Sequence, residues 1–436
     1  MRFTIRFRGA PDGDTTFTTR KDRSCWRIFQ AGLCPAVFAS IITLYQIAVL
    51  VMASPGKSIS SAYTSSHQKD SGWYASIVEN GYVSTIPPVP QKTQLANVAF
   101  FPAFPILAKV IVMFLHLPVR FALALTAQAS AFLFWYYLIL ILRRWQFSHI
   151  AIITTALAVL SHPNGFILVV GYSESLFLAM LLGFLYFLEY PGWKTKTLAS
   201  LHGFVLTATR PVGTLCALWP LVQSIAKKDQ KQKSSYGSRL ARCRPYWHAA
   251  VITLAASGGV IAFFVFCQWK FGRWNLYMQT QHIGWNQTAN YIAFFNPATY
   301  SFRLPRLRNS ISVGHFLLAL DFIVLITLEY VEVFQWKNLA LERTSRLGYY
   351  FCGFTVFYLS VSGTYNTGMR GALRYDLCIH TVIVLGAANV IQVLCRQRII
   401  RPILRYFLLA TLWLAIIGGC ALQLFYTRVY LAGRWP

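Results

Sequence analysis

Uncharged apolar runs of about 20 residues recur along the whole chain, and they restrict its fold more than any other feature. The first is CPAVFASIITLYQIAVLVMA, residues 34–53, which holds no charged side chain. A helix of that length matches the thickness of a bilayer's hydrocarbon core. Within lipid a segment must satisfy its own backbone N–H and C=O groups, so repeated spans of this kind define an all-α, multi-pass integral membrane protein. Composition agrees. Of the 436 residues, 56% are hydrophobic and 12% charged, against about 25% charged in soluble domains.

The charge that remains is lopsided, with 40 Lys and Arg against 13 Asp and Glu. The basic residues fall in short loops and at the N-terminus, the pattern expected for cytoplasmic loops. No basic stripe alternates with aromatics, so a nucleic-acid partner is not expected. The nine cysteines are scattered and form no CxxC pair, which argues against a zinc site or a disulfide framework.

Residues 1–30 read as a basic cytoplasmic leader, followed by the crossing at 34–53 and a first outer loop at 54–97. The stretch VAFFPAFPILAKVIVMFLHLP, 98–118, is broken by Pro102 and Pro105 and closed by Pro118. It reads as a re-entrant half-helix, because a full crossing there would put Arg143 and Arg144 outside. Crossings follow at 120–142, 149–162 and 166–190. Residues 197–226 are interrupted by Arg210-Pro211, since proline removes a helix donor and clashes with the preceding turn. Two short helices meeting at RPVG are expected. Residues 227–248 form a basic cytoplasmic loop. Further crossings lie near 249–271, 311–335, 347–363, 377–395 and 404–426, with 272–310 and 364–376 outside. The expectation is a single polytopic domain, 1–436, of about eleven crossings plus one half-helix, with no internal repeat.

Thirteen acids are few enough to consider singly. Eight lie in the leader, in basic loops or near inner helix ends. Asp70, Glu79, Glu174, Asp321 and Asp376 remain. An ionisable residue in an apolar span costs about 3 kcal/mol on insertion scales, so a role or a partner is expected. Glu174 has Arg210 as a candidate partner. Asp376 follows Arg374 and is expected to pair with it. Glu79 reads as a surface acid and His162 as a turn residue. Arg210, Arg370 and Arg374 fall on the outer side, against the usual bias, and so call for anionic partners; the guanidinium fork suits phosphate. No GxGxxG or P-loop pattern occurs. An isolated outer carboxylate with outer arginines fits an enzyme that takes an activated donor from the membrane, such as a lipid-phosphate sugar. The carboxylate would deprotonate an acceptor hydroxyl and the arginines would hold the departing phosphate.

KDSGWYASIVENGY, 69–82, followed by VAFFPAFP, resembles the first outer loop of the PIG-V family, which comprises GPI mannosyltransferase II and its bacterial relatives. HPNGFILVVGYSESLFLAMLLGFLYFLE, 162–189, is similar to the family's Tyr-Ser-Glu segment. ATRPVG, 208–213, resembles its Arg turn, and FGRWNLYMQTQHIGW, 271–285, its Gln and Trp loop. MRGALRYD, 369–376, matches a late Arg-rich segment loosely. The blocks span most of the chain in order. Lys69 stands where the family has Trp.

The resemblance implies a GT-C type bundle that uses a polyprenyl-phosphate sugar, with mannose as the sugar. It implies Asp70 as the base, and Glu174 and Arg210 at the family's Tyr-Ser-Glu and Arg-turn positions. Trp73, Tyr74, Tyr172, Arg370 and Arg374 complete the candidate substrate-binding set. No ligand cluster demands a metal, although a divalent cation bridging phosphate and acid is compatible with this fold class. The acceptor would be a lipid, glycan or protein hydroxyl, and the membrane the cell (inner) membrane in a bacterium or the endoplasmic reticulum in a eukaryote. Two other classes compete: a transporter or flippase of lipid-linked sugars, which commonly shows repeat halves, and a non-catalytic membrane subunit.

Overall fold

The computed structural model describes residues 20–84, 96–231, 239–334, 343–369, 371–396 and 402–434. Arg370 lies outside the described residues, as do residues 1–19 of the leader. Among those described there is no β-strand, and the chain is an all-α membrane protein. Six stretches are long and apolar enough to cross a bilayer: Cys34–Ala53, Val119–Arg144, Tyr246–Phe271, Ser310–Thr327, Ala372–Cys395 and Pro402–Leu431.

The helices run in order α1 (Arg20–Ala53), α2 (Ile59–Ser66), α3 (Asp70–Asn80), α4 (Ala103–Leu115), α5 (Val119–Arg144), α6 (His149–Leu160), α7 (Glu174–Leu188) and α8 (Trp193–Thr209). They continue with α9 (Gly213–Cys216), α10 (Trp219–Lys231), α11 (Arg239–Phe271), α12 (Leu276–Gln279), α13 (Ser310–Phe334), α14 (Arg343–Thr364), α15 (Ala372–Arg396) and α16 (Pro402–Leu431). One packed sequence of neighbours runs α1, α5, α7, α8, α11; a second unites α13, α14 and α15, and α6 packs on α15.

Helix α4 has 13 residues, about 20 Å at 1.5 Å per residue, too short to span a core of about 30 Å. Pro102 and Pro105 occupy its start, where proline is tolerated. It ends at His116 in the left-handed conformation (φ 52°), just before Pro118. Phe104 and Ala108 are buried, whereas Met113 and Phe114 are exposed, Phe114 by 78%. That outward apolar face suits lipid.

The 149–190 region differs from the expected pair of continuous helices. Helix α6 stops at Leu160 and α7 starts only at Glu174; between them Gly165–Val169 forms a 3₁₀ turn followed by extended backbone. The segment is buried, so its carbonyls need partners within the protein. Three buried glutamines supply them. Gln46 Nε2 of α1 donates to Gly165 O at 3.0 Å, and Gln128 Nε2 of α5 to Val169 O at 3.4 Å. Gln423 Nε2 of α16 donates to Leu160 O at 3.0 Å and His162 O at 3.1 Å. The other ends of two of these amides are used as well: Trp135 Nε1 donates to Gln46 Oε1 at 2.9 Å and Tyr63 OH to Gln128 Oε1 at 2.8 Å.

Helices α8 and α11 approach closely through small residues, as membrane helices commonly do. A Cβ on Gly259 would lie 2.1 Å from Phe204 O and 2.7 Å from Ala208 N, and one on Gly203 2.4 Å from Ala256 Cβ. Thr207 Oγ1 donates across the contact to Ala256 O at 2.7 Å. Gly259→Ala must therefore push backbone apart, at a cost of about 1–3 kcal/mol. Unfolding of the detergent-solubilised variant should report that loss, and wild-type stability would show that the two helices separate freely.

Candidate active site

Asp70 is the first residue of α3. A free helix start usually takes a side-chain cap, but here Lys69 occupies the cap position at φ 53° and no side chain caps the helix. The Asp70 carboxylate turns instead to α15, where Arg374 Nη1 donates to its Oδ2. The same guanidinium donates through Nε to Glu174 Oε1. Arg374 thus joins an acid 304 residues upstream to another 200 residues upstream.

Glu174 opens α7, where the helix N-terminus favours a carboxylate, and its start there follows from the irregular 165–173 segment. The side chain is fully buried. Its second partner is Arg210, whose Nη2 reaches Glu174 Oε1 at 2.5 Å and whose Nε donates to Ser173 Oγ at 3.3 Å. Arg210 stands in extended conformation at the break between α8 and α9, the interruption expected from Arg210-Pro211. Two carboxylates and two guanidiniums therefore balance one another, Glu174 fully buried and the other three at the cavity wall. Arg374 Nη2 and Arg210 Nη1 have no acceptor among the described residues.

Tyr172 lies beneath this group. Its ring centroid is 4.7 Å from the Arg374 guanidinium carbon, and its hydroxyl donates to Gln68 O at 3.3 Å. Tyr74 OH donates to Ser173 Oγ at 2.8 Å. Burial, the leading cause, pushes the Tyr74 phenol above its ordinary pKa, so it stays protonated as that donor. Trp73 stacks on Phe100 (6.1 Å, 15°) and meets the edge of Trp285 at 6.0 Å.

These groups face a cavity of about 1160 Å³, whose lining includes Asp70, Trp73, Tyr74, Arg210, Trp285 and Arg374. Single ligand pockets usually measure about 300–1,000 Å³, so there is room for two reactants. Glu174 and Tyr172 stand behind the wall and hold the arginines rather than reaching the open space. Lys69 is exposed at the rim and Glu79 is exposed on α3. Ser173 and Trp285 were not singled out by the sequence. Each sits in a block that carried the family resemblance, and only the fold brings them to Asp70.

Asp376 does not pair with Arg374. Two residues further along α15 it points to a different side, where His162 Nε2 donates to its Oδ2 at 3.0 Å. Asn164 N–H occupies His162 Nδ1 at 3.1 Å, which leaves the ring proton on Nε2. Nearby, His380 Nε2 meets Ala158 O at 3.1 Å and its Nδ1 stands 3.7 Å from Asp321 Oδ1. This polar group fastens α15 to α6 and α13, one turn from Arg374. Asp376→Ala would leave the buried His162 donor unsatisfied, at about 1–3 kcal/mol. Asp376→Asn keeps an acceptor and should recover most of the loss in the same unfolding measurement. An alanine variant as stable as wild type would rule the bond out as a support of α15.

No group of three His, Cys, Asp or Glu among the described residues gathers as a metal site. Asp70 Oδ2 and Glu174 Oε1 are directed at guanidiniums. No family model matches the chain, and no curated protein sequence is significantly similar to it.

Proposed function

We propose that the protein is a membrane glycosyltransferase of GT-C type, with about eleven crossings and α4 as a re-entrant half-helix. It moves a hexose, mannose by the family resemblance, from a polyprenyl-phosphate donor to an acceptor hydroxyl on the outer (periplasmic or lumenal) face. The observation that carries this reading is the convergence of Asp70, Arg210 and Arg374 on one large cavity. Asp70 offers a carboxylate able to take a proton, and the two arginines keep spare N–H donors there for a phosphate.

In this mechanism the acceptor oxygen attacks the anomeric carbon while Asp70 takes the hydroxyl proton. The bond between the anomeric carbon and the phosphate oxygen breaks, and the polyprenyl phosphate leaves with the electron pair. Arg210 and Arg374 stabilise the charge that develops on it. Glu174 is a positioning residue: it holds both guanidiniums at the wall. Trp73 offers an aromatic face beside Asp70, since residues three apart share a helix side.

The test is to incubate purified protein with defined polyprenyl-phosphate sugars and acceptors and to follow released lipid phosphate by mass spectrometry. Release coupled to a glycosylated acceptor supports the reading. Movement of the lipid-linked sugar across vesicles with no transfer product would replace it with a flippase.

A further inference from the structure

A second feature lies in residues 302–308 of the connection between α11 and α13, beyond the part that carries Trp285 to the cavity wall. Both ends of that connection stand at the same end of the bundle as α3. Lys270 Nζ, at the end of α11, donates to Tyr82 O at 2.9 Å. Tyr426 OH of α16 donates to Leu307 O at 2.9 Å, and the adjacent Tyr430 carbonyl accepts from Gln68, beside Asp70. The connection therefore emerges on the cavity side.

Its sequence FRLPRLR, 302–308, mixes apolar and basic side chains. Phe302 is 58% exposed, Leu304 90% and Leu307 55%. Arg303, Arg306 and Arg308 are exposed too, and none makes an ion pair with a described residue. No Asp or Glu occurs between Asp229 and Asp321, so the segment has no acid of its own. The backbone is held in place nevertheless: Arg306 N donates to Ser312 Oγ at 3.2 Å, and Asn309 Oδ1 accepts from Ile311 N at 3.0 Å and Ser312 N at 3.2 Å. A fixed backbone that displays a nearly bare leucine between unpaired arginines has the amphipathic make-up of a bilayer interface.

We propose that residues 302–308 form a docking surface for anionic lipid headgroups on the cavity side of the membrane. Phe302, Leu304 and Leu307 enter the acyl boundary while Arg303, Arg306 and Arg308 engage headgroup phosphates. The charge complementarity commits the surface to anionic lipid, and it holds whatever reaction the cavity performs.

The test is hydrogen exchange of the full chain in nanodiscs of phosphatidylcholine, with and without phosphatidylglycerol, read on the amides of 302–309. Phosphatidylglycerol should slow exchange there by about fivefold for each arginine engaged. R303Q/R306Q/R308Q should lose that slowing, and R303K/R306K/R308K should keep it, which separates charge from any damage to the fold. Equal exchange in the two lipid mixtures would overturn the proposal, as would slowing that persists in the glutamine variant. Equal slowing by inorganic phosphate in phosphatidylcholine nanodiscs would also overturn it, in favour of a free-anion site.

Discussion

Asp70→Asn should lower sugar transfer by about 10²–10⁴-fold, the usual contribution of a general base, while the protein still inserts and folds. The amide keeps the shape and an oxygen for the Arg374 contact, but it cannot take the acceptor proton. The measurement is glycosylated product by mass spectrometry, beside a size-exclusion profile of the same preparation. Full activity in the Asn variant would remove Asp70 from the base role. Asp70→Ala is the poorer probe, because it also frees one Arg374 contact.

The second large effect is on stability. Glu174→Ala would leave Arg210 and Arg374 buried without the acid they share. Breaking one side of a buried ion pair costs about 3–5 kcal/mol, because the remaining charge stays desolvated. The damage here should sit at the lower end, since Arg374 keeps Asp70 and both guanidiniums border the cavity. Unfolding of the detergent-solubilised variant measures it. Adding Arg210→Met to Glu174→Ala should restore part of the loss by removing one orphaned charge. If Glu174→Ala unfolds like wild type, the guanidiniums are solvated through the cavity and need no buried acid.

Much of the scaffold was readable from elementary constraints. Apolar runs gave the long spans, Pro102 and Pro105 with Pro118 marked the short α4, and Arg210-Pro211 marked the break between α8 and α9. These features are local, and one stretch of sequence carries each signal. The short list of acids left Asp70 and Glu174 among five, and only the family resemblance singled them out. The Glu174–Arg210 pair was readable as well, but the partners of Arg374 and Asp376 were not. Arg374 and Asp376 are two residues apart, so pairing them was the economical guess, but side chains two apart on a helix point to different sides. One faces Asp70 and Glu174, the other His162. The late start of α7 was equally hidden, because 166–173 is as apolar as a helix. Its irregular backbone depends on Gln46, Gln128 and Gln423, which lie on three distant helices.

The Arg374 bridge also bears on biogenesis. Ribosomes deliver Asp70 and Glu174 long before Arg374, which follows them by 304 and 200 residues. Arg210 arrives 36 residues after Glu174, early enough to neutralise it while the middle of the chain is entering the bilayer. Asp70 gains its guanidinium partner only when α15 inserts. Insertion of α15 is therefore the step that completes the Asp70–Arg374–Glu174 bridge. A chain stopped before it would lack the side chain that ties α3 to α7.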